Sequence, residues 1–176
     1  INTIHQEIVI ATIELCWNIN EGQKQIIDEV EDVLNKTFNL PVKMFGKFSI
    51  ADENYDSLRD QYLAAEIINQ VKKLPLNSHY CLALVDVDLY APGLNFVFGQ
   101  ANKLEMVAIV SLFRLKGERL VLRARTEAVH EVGHLLGLDH CSSPSCVMFF
   151  SNSIIDTDRK GEQLCLVCRR RLDGRL

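Results

Sequence analysis

Apolar positions along the 176-residue chain fall into short runs with two spacings. Glu7 to Cys16 is rich in Ile and other apolar residues and predicts a buried strand. Between Asn18 and Leu34, Gln25, Ile26, Ile27, Val30, Val33 and Leu34 recur at helical spacing. Pro41 to Ile50 predicts a second strand, with Val42, Met44 and Phe48 on one face. The polar, acidic stretch Ala51 to Asp60 reads as a loop, and Leu63, Ile67, Ile68 and Val71 as a helix that Pro75 ends. Tyr80 to Val87 is almost wholly apolar, as expected of a strand covered on both faces. After the Pro92-Gly93 turn, Asn95 to Phe98 alternates and predicts an edge strand, and Met106 to Phe113 predicts one more strand. Lys116-Gly117 breaks the chain before a segment in which Leu120, Ala124, Val129, Val132 and Leu136 form a helical stripe. The order β-α-β-α-β-β-β predicts an α/β fold, a sheet covered by helices, with no linker or repeat dividing the chain.

At 48% hydrophobic and 24% charged, the chain has the make-up of one domain with its own core. Its longest apolar runs, Tyr80 to Val85 and Met106 to Val110, fall far short of the roughly 20 residues of a membrane span, so no membrane partner is expected. Residues 1–12 hold no basic segment followed by an apolar run, so no secretory signal is expected. The net charge of −4 argues against nucleic acid as a partner, and Arg169 to Arg171 suits the end of a helix, where positive charge meets the dipole. His5 and His79 are isolated and read as surface or hydrogen-bonded residues.

The cysteines change the picture more than the charge does. Cys16 and Cys81 stand alone in apolar stretches and read as small core residues. Cys141, Cys146, Cys165 and Cys168 crowd into the last 36 residues, in two short pairs. That grouping points to a metal in a reducing compartment rather than to a disulfide framework, so a cytoplasmic location is expected. Four thiolates from a C-x4-C and a C-x2-C pair can close a tetrahedral zinc site with no open position, which makes it structural.

The segment His130 to His140 reads His-Glu-Val-Gly-His-Leu-Leu-Gly-Leu-Asp-His. His130 and His134, four apart on a helix, project from one face and can reach one metal. Glu131 is rotated about 100° from His130, too far round to be a natural ligand but suited to taking a proton from the metal's water. Gly137 sits where a helix can end in a left-handed turn, after which the chain can bring back His140 as third ligand. Three protein ligands leave a fourth position for water, as a catalytic zinc requires.

Met148, eight residues beyond His140, completes a pattern that resembles the metzincin metallopeptidases, in which a Met-containing turn floors the three-histidine site. From His130 to Cys168 the chain is similar to the archaemetzincins in particular: His-Glu-x-x-His-x-x-Gly-x-x-His-Cys, then x4-Cys-x-Met, a spacer and Cys-x-x-Cys. The 16-residue spacer between Met148 and Cys165 is one short of that pattern. Phe149 and Phe150 follow Met148, so the tyrosine ligand of some metzincins is not expected here. The resemblance implies an α/β, metzincin-like single domain: a twisted mixed sheet with an edge strand, packed by long helices. Residues 1–137 would hold the sheet and active-site helix, and residues 138–176 a short C-terminal part with the third His, the Met turn and the four-cysteine zinc site.

The implied activity is zinc-dependent peptide hydrolysis by a monomer with two zinc ions, one catalytic and one structural. Zinc on His130, His134 and His140 would polarise the scissile carbonyl and lower the pKa of its water, and Glu131 would serve as general base. Peptide would add as a strand along the exposed edge Asn95 to Phe98. Two other classes use the same residues: a non-catalytic zinc-binding interaction module, for which Glu131 has no use, and a zinc hydrolase of a non-peptide amide.

Overall fold

A computed structural model describes residues 10–175. A five-stranded sheet runs in the order β2-β1-β5-β8-β7, formed by β1 (Ile13–Asn18), β2 (Val42–Lys47), β5 (Tyr80–Val85), β7 (Gly99–Asn102) and β8 (Val107–Ser111). All neighbours are parallel except β7, which lies antiparallel on β8 at one edge. A second, three-stranded sheet joins β3 (Tyr55–Asp56), β4 (Gln61–Leu63) and β6 (Leu89–Tyr90). Five α-helices accompany them among the described residues: α1 (Lys24–Phe38), α2 (Ala64–Lys72), α3 (Leu120–Leu135), α4 (Ile154–Lys160) and α5 (Leu166–Asp173). None is long and apolar enough to cross a membrane.

The period-2 geometry of the central strands divides the core in two. Leu82 and Leu84 of β5, with Ala108 and Val110 of β8, face the layer of α1 and α3. Cys81, Ala83, Val85, Val107 and Ile109 face α2, with its buried Ile67, Ile68 and Val71. Both central strands are thus covered on each side, which explains their continuous apolar runs. α1 stops where Asn39 turns left-handed (φ 53°) and donates its N–H back to Asn35 O, just before Pro41.

Several boundaries differ from the sequence expectation. The first strand spans Ile13–Asn18, not Glu7 to Cys16, because both of its partners begin opposite Ile13; residues 7–9 lie outside the described ones. Its helix begins at Lys24 and continues to Phe38, after a turn Glu21–Gln23 in which Asn20 and Gln23 cap each other. In β2 the register slips beside Cys16, with Gly46 at φ 121°, so Val42 packs toward α1 while Phe48 packs toward α2, and Met44 is exposed. The stretch Ala51 to Asp60, expected as loop, contains β3. The edge strand is Gly99–Asn102 rather than Asn95 to Phe98; within the latter only Val97 bridges, to Leu89. Gly-Gln-Ala-Asn carries no apolar alternation because an edge strand has one side open, so pairing alone defines it.

Candidate metal centre

α3 positions most of the site. Its apolar residues Ala124, Ala128, Val129 and Val132 are buried in the α1/α3 core, while Glu127, His130 and Glu131 line a cavity of about 210 Å³ beside β7. The His130 and His134 rings lie 4.7 Å apart with Nε2 atoms at 3.2 Å. The helix ends in paired bonds, Gly137 N–H to His134 O and Leu138 N–H to Gly133 O, across a left-handed Gly137 (φ 90°). Any other residue at 137 would be strained by that positive φ, which glycine adopts without cost. The turn brings His140 to ring distances of 4.7 Å from His134 and 5.3 Å from His130. One ligand atom from each of the three histidines lies within 4.8 Å of the others.

The second nitrogen of each helical ring is fixed. His130 Nδ1 lies 2.7 Å from Val147 O and His134 Nδ1 2.8 Å from Leu138 O. A carbonyl only accepts, so both Nδ1 atoms carry the proton and both Nε2 atoms offer lone pairs. Burial pushes His130 well below the ordinary imidazole range, helped by the Lys160 charge. Burial brings His134 down to about 4 and lowers His140, with the Lys160 charge adding at His140. Three neutral imidazoles that converge while resisting protonation fit a borderline cation such as zinc. Glu131 shows the opposite shift: burial raises it well above the usual carboxylate range, and Glu127 one turn earlier raises it further.

Met148 is fully buried beneath α3, so close that a Cβ on Gly133 would stand 2.6 Å from its Sδ. The adjoining turn is tied to the site by Cys141 N–H donating to Met148 O at 2.9 Å. Cys141, Cys146, Cys165 and Cys168 bring their sulfurs within 4.8 Å of one another as free thiols. Backbone amides face them: Ser143 N–H to Cys141 Sγ and Cys165 N–H to Cys146 Sγ, each 3.4 Å. A donated Cys168 amide brings Cys165 down to about 7, while burial raises Cys146 and Cys168. Sulfurs that converge, accept amide bonds and form no disulfide suit a closed cation site.

All ten residues singled out from the sequence therefore gather at these two centres. Cys16 and Cys81 stay in the core, their sulfurs 3.8 Å apart; His5 lies outside the described residues. Sequence reasoning missed Glu127, Thr157 and Lys160. Lys160 is fully buried; its Nζ lies 3.1 Å from Glu127 Oε1 and 3.3 Å from Phe149 O. Thr157 Oγ1 donates to the same Glu127 oxygen at 3.0 Å. Glu127 was findable, being four residues before Glu131 on one helix face. Lys160, in the polar run Asp-Thr-Asp-Arg-Lys, gave no signal.

Known proteins resemble this chain in both sequence and fold. The model of peptidase family M54 matches residues 5–174. The chain is 42% identical over 153 residues to the archaemetzincin of Pyrococcus horikoshii, covering 79% of this chain and 81% of that one. Its fold is similar to the crystal structure of archaemetzincin from Methanopyrus kandleri, with a TM-score of 0.87 and 32% identity over 94% of this chain and 95% of that one. It is also similar to a zinc-dependent peptidase from Methanocorpusculum labreanum, with a TM-score of 0.81 and 29% identity over 91% and 99% of the two chains.

Proposed function

The chain belongs to peptidase family M54, a zinc metallopeptidase family that includes the archaemetzincins, and from that premise we propose that it is a metzincin-type enzyme hydrolysing peptide bonds. The observation that carries the reading is the convergence of three imidazoles, one of which, His130, lines the same cleft as the buried Glu131 carboxylate. His130, His134 and His140 would hold a catalytic zinc, whose charge polarises the scissile carbonyl and acidifies water. Glu131 takes the proton of the attacking water and returns it to the leaving amine. Its burial at the cleft keeps that proton from bulk water between the two steps. Val147 O and Leu138 O hold the two helical rings in the ligating tautomer.

Support for an extended peptide substrate comes from β7, whose outer edge pairs with no strand among the described residues. A peptide added there by backbone hydrogen bonds would pass Gly99, which abuts Glu131. Cys141, Cys146, Cys165 and Cys168 would hold a second, structural zinc, and Met148 and Gly137 support the catalytic centre. On this reading residues 138–176 form a lower part that closes the site begun by residues 1–137.

The test is a mixed peptide-library digest with zinc-loaded protein beside Glu131→Ala, read by mass spectrometry. Cleavage that disappears in the variant, with zinc still bound, is the expected outcome. Cleavage that survives in Glu131→Ala would remove the proposed base, and no cleavage by the zinc-loaded parent would count against the peptidase reading.

A further inference from the structure

The cavity beside His130 and Glu131 has more chemistry than the hydrolysis uses. Phe96, Val97, Phe98 and Phe150 give it an apolar side, while Asn95, Glu127, Ser151 and Asn152 line it with polar groups. Glu127 is 2% exposed. Its two bonds, from Thr157 Oγ1 at 3.0 Å and Lys160 Nζ at 3.1 Å, both fall on Oε1. No donor among the described residues is paired with Oε2. Ser151 Oγ, at the same cavity, is buried without a hydrogen-bond partner. Polar atoms left without a partner beside the phenylalanines penalise any occupant that covers them without bonding them.

We propose that Glu127 is a specificity-determining residue that selects, next to the bond to be cut, substrate side chains with an apolar stem and a terminal hydrogen-bond donor. The proposal rests on the peptidase reading above. A donor at the end of a stem satisfies Oε2 while the stem packs on the phenylalanines. A plain hydrocarbon covers Oε2 and leaves it unbonded; a carboxylate meets like charge. Lys160, fully buried against Oε1, already balances the charge of Glu127. The pocket therefore asks for a donor rather than a full cation, and a phenol or amide serves as well as an ammonium. About 210 Å³ accommodates one such side chain and little more.

The test uses ligands that need no turnover. Dissociation constants are measured on zinc-loaded parent protein for two pairs of peptidyl hydroxamates, tyrosine against phenylalanine and lysine against norleucine, with acetohydroxamate as the control lacking a side chain. The donor-bearing member of each pair should bind about 10–100-fold more tightly, the span set by one hydrogen bond made or one buried acceptor orphaned. Glu127→Gln keeps a carbonyl oxygen for Thr157 and Lys160 but places an amide NH2 at the open position; each ratio should then fall below about 3-fold. Ser151→Ala, which leaves the ion pair intact, should reduce the ratios partway and covers the case in which Glu127→Gln does not fold. Equal binding of both members by the parent overturns the proposal, as do ratios that persist unchanged in a folded Glu127→Gln. Acetohydroxamate separates the two levels. If it binds while side-chain identity is without effect, only the selectivity falls; if it too fails to bind, the metal-centre reading falls and takes the selectivity with it.

Discussion

Replacing Gly99 by alanine tests the placement of Glu131 without touching a ligand. Gly99 lies in β7 with an ordinary backbone conformation, so the substitution acts through space alone. A Cβ at this position would stand 2.7 Å from both Ile109 O and Glu131 Cγ, and 2.8 Å from Glu131 Oε1. Ordinary contact begins near 3.4 Å, so about 0.7 Å (3.4 − 2.7) must be found by moving the edge strand off β8, the Glu131 side chain, or both. Inserting one carbon into a filled space of this kind costs about 1–3 kcal/mol. For a domain of this size that is a fall in Tm of roughly 2–12 °C, at about 2–4 °C per kcal/mol. A displacement approaching 1 Å at a catalytic group lowers kcat/KM by up to about 10²-fold, and a smaller shift by about 10-fold. Thermal melts, zinc content and turnover of a library-derived peptide are measured together. Zinc content should be unchanged, since no imidazole is touched, while Tm and kcat fall. A Gly99→Ala protein with the parent's Tm and kcat would refute the close approach of β7 to Glu131.

The buried Lys160–Glu127 pair is tested by a cycle: Lys160→Met alone should destabilise by about 3–5 kcal/mol in denaturant unfolding, because it strands a carboxylate, whereas the double change Glu127→Leu/Lys160→Met should recover most of that loss. Cys165→Ser should lower the metal content by one equivalent and make the region around α5 protease-sensitive, as elemental analysis and limited proteolysis would show. In the metal-free protein, His134 titrates near 4 in the fold and near 6.5 when unfolded, so the unfolded chain binds more protons in that window. Its contribution to stability is complete above pH 6.5 and is lost as pH falls toward 4. Glu131, shifted upward, contributes with the opposite sign. The readout is therefore the parent against His134→Gln by urea unfolding at pH 5 and 7; the parent should lose more stability at pH 5 than the variant.

How much of the fold was legible follows from what each strand is covered by. β5 and β8 are readable because burial on both faces makes all but the last residue of β8, Ser111, apolar or aromatic. α1 was readable because Ile26, Ile27, Val30, Val33 and Leu34 must share one face. The edge strand β7 was placed a few residues early because Phe96 and Phe98 imitate a strand while lining the cleft, whereas Gly99–Asn102 pairs through its backbone and needs no side-chain pattern. The small sheet was invisible for the same reason. Two- and three-residue strands carry too little periodicity to register, and what holds them is non-local: Gln61 donates to Asn95 O and Asp88, and Arg59 donates to Leu94 O and Asn95 O.

The candidate site divides along the same line. The metal-facing half is built almost entirely from one helix and the turn after it, so spacing along the chain becomes spacing in space. His130 and His134 are set by helical pitch, and His140 by a turn that requires a left-handed residue, which Gly137 supplies. The half that would choose a substrate is assembled from segments tens of residues apart: the stretch before β7, Glu127 on α3, Phe150 and Ser151 beyond the Met turn, and Lys160 at the end of α4. No local pattern links these positions, and a buried lysine in a polar run looks like any exposed one until its partner is located. Chemistry that depends on fixed spacing around one ion is therefore written locally. Selectivity depends on which distant side chains close the cleft, and it becomes readable only once the chain is folded.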